Sequence, residues 1–259
     1  MIELNHIVKN FGDLIAVNDL SLNVARGEFF VVLGPNAAGK TTTIKILAGL
    51  MKPTSGTAKV CGFDVHTDPL EAKRRMAFVP DFPFLYEKLT PREFIQFTGQ
   101  LFQMDDAAIE RRGRELIARF HLADFADKPI EGLSHGTRQR TAIVSALLHD
   151  PEVFVIDEPM VGLDPQHARV VKDVLKERSR AGMTVFLSTH QLSVAEEMAD
   201  RIGIIHQGRL VAVGSKEELR RQSGNATGAL EEVFLALTRS EPEGTNRGAG
   251  ASKNISTLD

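Results

Sequence analysis

One cysteine, Cys61, in 259 residues rules out an intrachain disulfide and argues against a cysteine-built metal site. A lone thiol fits a reducing compartment, and Cys61 itself reads as a small filler residue near a strand. Long apolar runs are missing too. No stretch approaches the roughly 18 to 20 consecutive apolar residues that a membrane span needs. The opening MIELNHIVKNFGDLIAV carries no apolar core of the signal-peptide kind. The chain is therefore expected to be soluble, with any membrane role reached through a partner. Nor is there an excess of charge of one sign: 31 Lys and Arg stand against 34 Asp and Glu, for a net charge of −3. Binding nucleic acid by bulk electrostatics would call for a basic chain, so no nucleic-acid partner is expected. An internal repeat and a sustained heptad run are absent as well. His6, His66, His121, His149 and His206 form no pair with metal-ligand spacing on a shared element.

What is present is the texture of an α/β protein long enough to bury a substantial core. Short apolar bursts from Ile2 to Val24, broken at Gly12-Asp13, predict antiparallel strands. FFVVLG (29 to 34) is a continuous β-prone run ending in glycine, as expected of a fully buried strand. TTTIKILAGLM then has helical spacing, with Ile44, Leu47 and Met51 on one face, and KPTSGTAKVCG returns to turn and strand. Thr90-Pro91-Arg92-Glu93 is a helix start, with a capping threonine, Pro at the first helical position and Glu three residues after the cap. Phe94, Phe97 and Leu101 follow as one helical stripe, and Ile109, Leu116 and Phe120 as a second. Residues 86–150 are accordingly read as an inserted helical subdomain. VFVID (153 to 157), TVFLSTH (184 to 190) and IGIIH (202 to 206) resume the strand pattern between helical stretches, which implies a parallel sheet covered by helices. A hairpin turns at Gln207-Gly208, a capping box opens at Ser215, and ALEEVFLALT closes the pattern as an amphipathic helix. Residues 1–240 are expected to form the folded domain, and 241–259, rich in Gly, Ser, Thr and Asn, a disordered tail.

GLSHG (132 to 136) matches G-x-S-x-G, the nucleophile elbow of the α/β-hydrolases, with acids and a histidine downstream in the right order. That motif needs a strand running into the serine. FADKPIEGL stands there instead, with a proline, charges and no apolar run. Ser134 is not expected to be a nucleophile.

The strongest motif is GPNAAGKT (34 to 41), a complete G-x-x-x-x-G-K-[ST] between a buried strand and a helix. Gly34, Pro35, Asn36, Ala37, Ala38, Gly39, Lys40, Thr41 and Thr42 are the candidate nucleotide contacts. Backbone N–H groups from Ala37 to Thr41 would wrap a polyphosphate at the positive end of the following helix. Lys40 would reach the β- and γ-phosphates, and the Thr41 hydroxyl would ligate Mg²⁺. VFVIDEP supplies the second half of such a site. Asp157, at the strand tip, is placed to hold Mg²⁺, and Glu158, one residue further out, to polarise the attacking water as general base.

GPNAAGKT and VFVIDEP, with LSHGTRQR (133 to 140) between them, resemble the nucleotide-binding subunit of an ABC transporter over residues 1 to about 238. GLDP (162 to 165) resembles that family's D-loop. The resemblance implies a P-loop NTPase core with a parallel sheet, an N-terminal antiparallel β subdomain and an inserted α-helical subdomain. It implies that Phe11 stacks on adenine and that His190 reads the γ-phosphate. Ser134 and the N–H of Gly136 would cap the γ-phosphate of ATP held by another protomer. ATP and Mg²⁺ are the implied cofactors, and the implied partner is an integral-membrane permease. The active form is then a homodimer or a pairing with a second ABC ATPase, on the cytoplasmic face of the cell membrane. An ABC-type ATPase of translation or DNA repair is the alternative. Such factors usually carry two cassettes or long coiled coils, and neither occurs here.

Three positions depart from the family pattern. His135 stands where the signature usually has its first glycine, and Ala37 replaces a frequent glycine in the P-loop. Asp81, in MAFVPDFPFLYEKLT, stands where the family carries a glutamine, and a carboxylate there could ligate Mg²⁺ directly. The residues around it, PFLYEKLTPREF, resemble an exporter-type branch. Phe82, Phe84, Leu85 and Tyr86 are candidate contacts with the membrane partner.

Overall fold

The computed structural model describes residues 1–224 and 229–239. The tail expected at 241–259 lies outside the described residues. The strands, in chain order, are β1 (Ile2–Phe11), β2 (Leu14–Val24), β3 (Phe29–Leu33), β4 (Ser55–Val60), β5 (Phe63–Asp64), β6 (Met76–Val79), β7 (Val153–Asp157), β8 (Thr184–Thr189), β9 (Arg201–His206) and β10 (Arg209–Gly214). The helices are α1 (Lys40–Leu47), α2 (Pro69–Arg75), α3 (Pro91–Leu101), α4 (Asp106–Arg119), α5 (His135–Leu147), α6 (Pro165–Arg180), α7 (Leu192–Met198), α8 (Lys216–Gln222) and α9 (Leu230–Arg239).

Two sheets organise them. The first is antiparallel, in the order β2-β1-β4-β5, and the second runs β10-β9-β3-β8-β7-β6. In the second sheet β3 pairs in parallel with β8 and β9, and β7 in parallel with β6 and β8, while β10 returns antiparallel to β9. The inner strands β3, β7 and β8 are buried on both faces, which is why they read as continuous apolar runs. Alternate residues go to opposite cores. Phe29, Val31, Leu33, Phe154, Ile156, Val185 and Leu187 face α3 to α6, whereas Phe30, Val32, Val153, Val155 and Phe186 face α1 and the antiparallel sheet.

Several expectations meet their local chemistry. The hairpin turns at Gln207-Gly208, and the capping boxes at Thr90 and Ser215 are both formed. The helix after the P-loop ends at Leu47, short of Met51, because Gly49 takes a left-handed φ of 66° and closes it. The stripe Phe94, Phe97 and Leu101 is not the buried face of α3. That face is Ile95 and Gly99, because α3 rests on α4 where Gly99 meets the Ile109 side chain. Ile109, Leu116 and Phe120 are all buried, as their spacing predicts. The buried guanidinium of Arg140 donates to the carbonyls of Phe120 (2.7 Å) and His121 (2.9 Å), bolting α5 to the C-terminal end of α4. Strand β6 and helices α2 and α7 are too short to stand out as periodic patterns.

β1 carries a bulge around His6, which has a φ of 49°, and its register shifts against both neighbours there. Gly56, at φ 91°, lies so close that a Cβ would sit 2.3 Å from the His6 carbonyl oxygen. Gly62 has a similar φ of 84° but nothing within 4 Å of such a Cβ. Gly56→Ala should therefore lower unfolding stability by about 2–4 kcal/mol and Gly62→Ala by about 1 kcal/mol. Urea midpoints of the two variants check the difference.

The His149 ring stacks on Phe102 with centroids 3.7 Å apart, and burial pushes its pKa down to about 4. Between about pH 6.5 and pH 4 the unfolded chain takes up a proton that the folded chain refuses. Stability is therefore lost as pH falls through that window, by up to about 3 kcal/mol. His149→Leu should shrink the gap between urea midpoints measured at pH 7 and pH 4.5.

Candidate nucleotide site

The sheet order sets the geometry. β3 and β7 flank β8, so the loop after β3, the acids after β7 and the tip of β8 converge at one edge of the sheet. Gly34 leaves β3 with its α-carbon against the Ile205 carbonyl, where a Cβ would lie 2.4 Å from the oxygen. Ala37 has a left-handed φ of 64°, a conformation a glycine takes freely, so the substitution carries about 1 kcal/mol of strain. Gly39 has a φ of 106°, and a Cβ there would meet the Ala16 carbonyl at 2.5 Å. Only glycine lets the loop and β2 approach so closely. No side chain caps α1 and no acid lies in its first turn, so its leading N–H groups are left for a bound anion.

Lys40 is buried and its ammonium donates to the carbonyls of Gly34 (2.7 Å) and Pro35 (3.0 Å). Burial pulls its pKa below the usual lysine value, while the charges of Glu158 and Asp157 oppose the fall. Asp157 is 2% exposed. Its carboxylate accepts from the Thr41 hydroxyl at 2.9 Å and from the Ser188 hydroxyl of β8. Glu158 turns away from the strand at a φ of 46°; its carboxylate accepts from Thr189 (3.0 Å) and pairs with His190 Nδ1 (2.8 Å).

These groups border one open cleft of about 570 Å³. Its walls include Phe11, Asn36, Ala37, Ala38, Gly39, Lys40, Thr41, Thr42, Asp81, Asp157 and Glu158. Phe11 is half-exposed, beside Leu14, Ile15 and Ala16. Gly34 and Pro35 reach the site through their carbonyls, and His190 through Glu158. Gln207 and Gly208 also line the cleft, which the sequence reading missed. Gly208 donates to the Ala38 carbonyl and accepts from Asn18, both near 2.8–2.9 Å, tying the β9–β10 turn to the P-loop and β2. The signal available was a Gln-Gly turn, which marks a hairpin and says nothing of where it docks.

The cradle fits a polyphosphate with its divalent cation. It offers uncapped N–H groups, a buried ammonium, and a hydroxyl already sharing a carboxylate with the strand tip. Asp81 faces the same cleft. Among the described residues, no group of three or more His, Cys, Asp and Glu has the arrangement of an all-protein metal site.

Ser134 and Gly136 are not among the walls of this cleft. Ser134 follows a 3₁₀ turn (Ile130–Gly132) instead of a strand, and it caps α5, with its Oγ accepting from the Thr137 N–H at 3.3 Å. The elbow geometry of a hydrolase is thus absent. A second surface lies beside the cleft. The loop after β6 exposes Phe82 (65%), Phe84 (87%) and Tyr86 (60%), and Phe84, Leu85, Phe94, Phe102 and His149 line a groove of about 310 Å³. No helix among the described residues is long and apolar enough to cross a membrane.

A family model described as ABC transporter matches residues 17–161. The linearmycin resistance ATP-binding protein of Bacillus subtilis is 35% identical over 246 residues, covering 93% of this chain and 79% of its own. A Nod factor export ATP-binding protein of Cupriavidus pinatubonensis is 36% identical over 219 residues, 85% of this chain and 67% of its own. Among solved structures, an ATP-binding subunit of an ABC transporter superposes with a TM-score of 0.88 at 33% identity, over 92% of this chain and 99% of that one. A dimeric ATP-binding cassette in a post-hydrolysis state with ADP and Pi gives 0.76 at 27% identity, over 83% and 98%.

Proposed function

As the chain belongs to the ABC transporter family, as an ATP-binding subunit that dimerises on ATP and hydrolyses it to drive transport, we propose that it powers export through a separate integral-membrane permease at the cytoplasmic face of the cell membrane. The observation that carries the site assignment is the single cleft bordered by the P-loop, Asp157, Glu158 and Phe11. Both relatives described above are named for resistance or export, which supports export and weighs against a translation or repair factor.

The geometry supports the following residue roles. Phe11, half-exposed on the cleft wall, offers an aromatic face to the base of ATP. Lys40 turns from its own loop's carbonyls to the β- and γ-phosphates, and the N–H groups of Ala37 to Thr41 hold their oxygens. Thr41 and Asp157 hold Mg²⁺, which supplies neutralisation of the charge on those phosphates. Glu158 accepts the proton of the attacking water as its base, and His190, paired with it at 2.8 Å, orients that carboxylate and reaches toward the γ-phosphate. Ser134 and Gly136 stand outside the cleft, which supports their serving the nucleotide of a second cassette, either a copy of this chain or a related ATPase. The exposed aromatic loop at Phe82, Phe84 and Tyr86, with its groove, offers the permease an apolar seat. Asp81, in that loop and on the cleft wall, adds a carboxylate toward the Mg²⁺ held by Thr41 and Asp157.

Glu158→Gln should lower ATP turnover by about 10²- to 10⁴-fold while nucleotide binding persists and ATP gathers the chain into dimers. A variant that keeps its turnover would remove Glu158 from the chemistry. Asp81→Ala should raise the Mg²⁺ concentration needed for half-maximal nucleotide binding several-fold, read with a fluorescent ATP analogue, and leave Mg²⁺-free binding unchanged. An unaltered Mg²⁺ titration would sink that role. Co-purification of the tagged chain from detergent-solubilised membranes should bring down a polytopic membrane protein in stoichiometric amount; ribosomes or DNA in its stead would overturn the transport assignment.

A further inference from the structure

The residue between the two clamp positions, His135, is wedged between two loops. On one side its ring lies 5.7 Å from the ring of Phe82, centroid to centroid, tilted by 39°. On the other it covers the α-carbon of Gly162, where a Cβ would come within 2.3 Å of the imidazole Cδ2. Gly162 has a left-handed φ of 74°, and its carbonyl would stand 2.9 Å from a Cβ on Gly136. The 161–164 loop therefore lies flat against the first turn of α5, backbone on backbone. That loop is also tied to Glu158, because the Val161 N–H donates to the Glu158 carbonyl at 3.2 Å and the Leu163 N–H to the Met160 carbonyl at 3.3 Å.

We infer that His135 is a positioning residue: its ring keys the aromatic loop at Phe82 to the Gly162 turn and so presets Ser134 and Gly136 for the nucleotide of a second cassette. The inference rests on the shared-site reading above and adds a device specific to this chain. A glycine at position 135 would leave the space between Phe82 and Gly162 without a side chain and would free the first turn of α5. The imidazole holds that turn against two surfaces before any ligand arrives, which reduces the ordering cost of closing the dimer. It also makes the exposed aromatic loop a handle. Movement of Phe82 under a docked membrane subunit is passed by ring contact to the turn that follows Glu158 and to the residues that cap the second nucleotide.

The test uses the full chain carrying Glu158→Gln, so that bound ATP is not consumed, and reads the ATP concentration at half-maximal dimerisation by light scattering. Binding of a fluorescent ATP analogue to the monomer is measured alongside. Adding His135→Gly should raise that concentration about two- to tenfold, the range expected for one ring contact, with monomer binding unchanged. Phe82→Ala should shift it in the same direction, and the two changes together should do no more than the larger alone. His135→Phe, which keeps an aromatic ring in the gap, should stay within about twofold of the parent. Equal dimerisation with glycine at position 135, full additivity with Phe82→Ala, or a phenylalanine variant as impaired as the glycine one would each overturn the inference. If the parent chain forms no dimer at any ATP concentration, the reading in which a second copy of this chain completes the shared site fails and this inference falls with it. A defect in monomer binding would instead mean that His135 acts on its own P-loop.

Discussion

The buried carboxylate of Asp157 is the point on which the site depends. A charge at 2% exposure is costly unless it is bonded, and here Ser188 and Thr41 supply the bonds. The two donors come from opposite sides, one from the neighbouring strand β8 and one from the helix that follows β3. Because β8 lies between β3 and β7, this bond pair ties the P-loop helix to the tip of β7 across an intervening strand. Glu158 is then fixed one residue beyond, and Thr189 and His190, next along from Ser188, meet its carboxylate. Loss of that anchor would loosen the P-loop and the Glu158 carboxylate together.

The wall of the cleft at Ala16, Gly39 and Gly208 is built by close backbone approach. Gly39 and Gly208 both sit against the Ala16 carbonyl, and the Gly208 N–H bonds the P-loop at Ala38. Through these contacts the antiparallel sheet, with Phe11 at the end of β1, is held at a fixed distance from the phosphate loop. Phe11 and the P-loop thus come from different sheets, joined where side chains are absent.

The cleft wall and the exposed aromatic residues share one short segment. Asp81 borders the cleft, Phe82 touches His135, and Phe84 and Tyr86 are open to solvent, all within seven residues after β6. A partner seated on the aromatic side of this loop bears on the same backbone that carries Asp81. The arrangement gives a physical route by which engagement of a membrane subunit and the state of the nucleotide site influence one another.

The sequence by itself determined the phosphate loop, the acid pair, the two capping boxes, the β9–β10 hairpin and the parallel sheet. Each of these is a local pattern: a glycine spacing, a side-chain period, or a cap and its partner three residues on. It also excluded a nucleophile elbow, since FADKPIEGL cannot be a strand. What only the tertiary structure decided is longer in range. Gln207 and Gly208 reach the cleft because β9 pairs with β3, which no spacing announces. Phe97 and Leu101 face outward, and Phe94 lines the surface groove, because Gly99, a residue without a side chain, is where α3 meets α4. His135 looks like a lapse in a motif until Phe82 and Gly162 are seen on either side of it. Sequence periodicity records which residues share a face; which faces meet is fixed by strand order and backbone approach, and those belong to the folded chain alone.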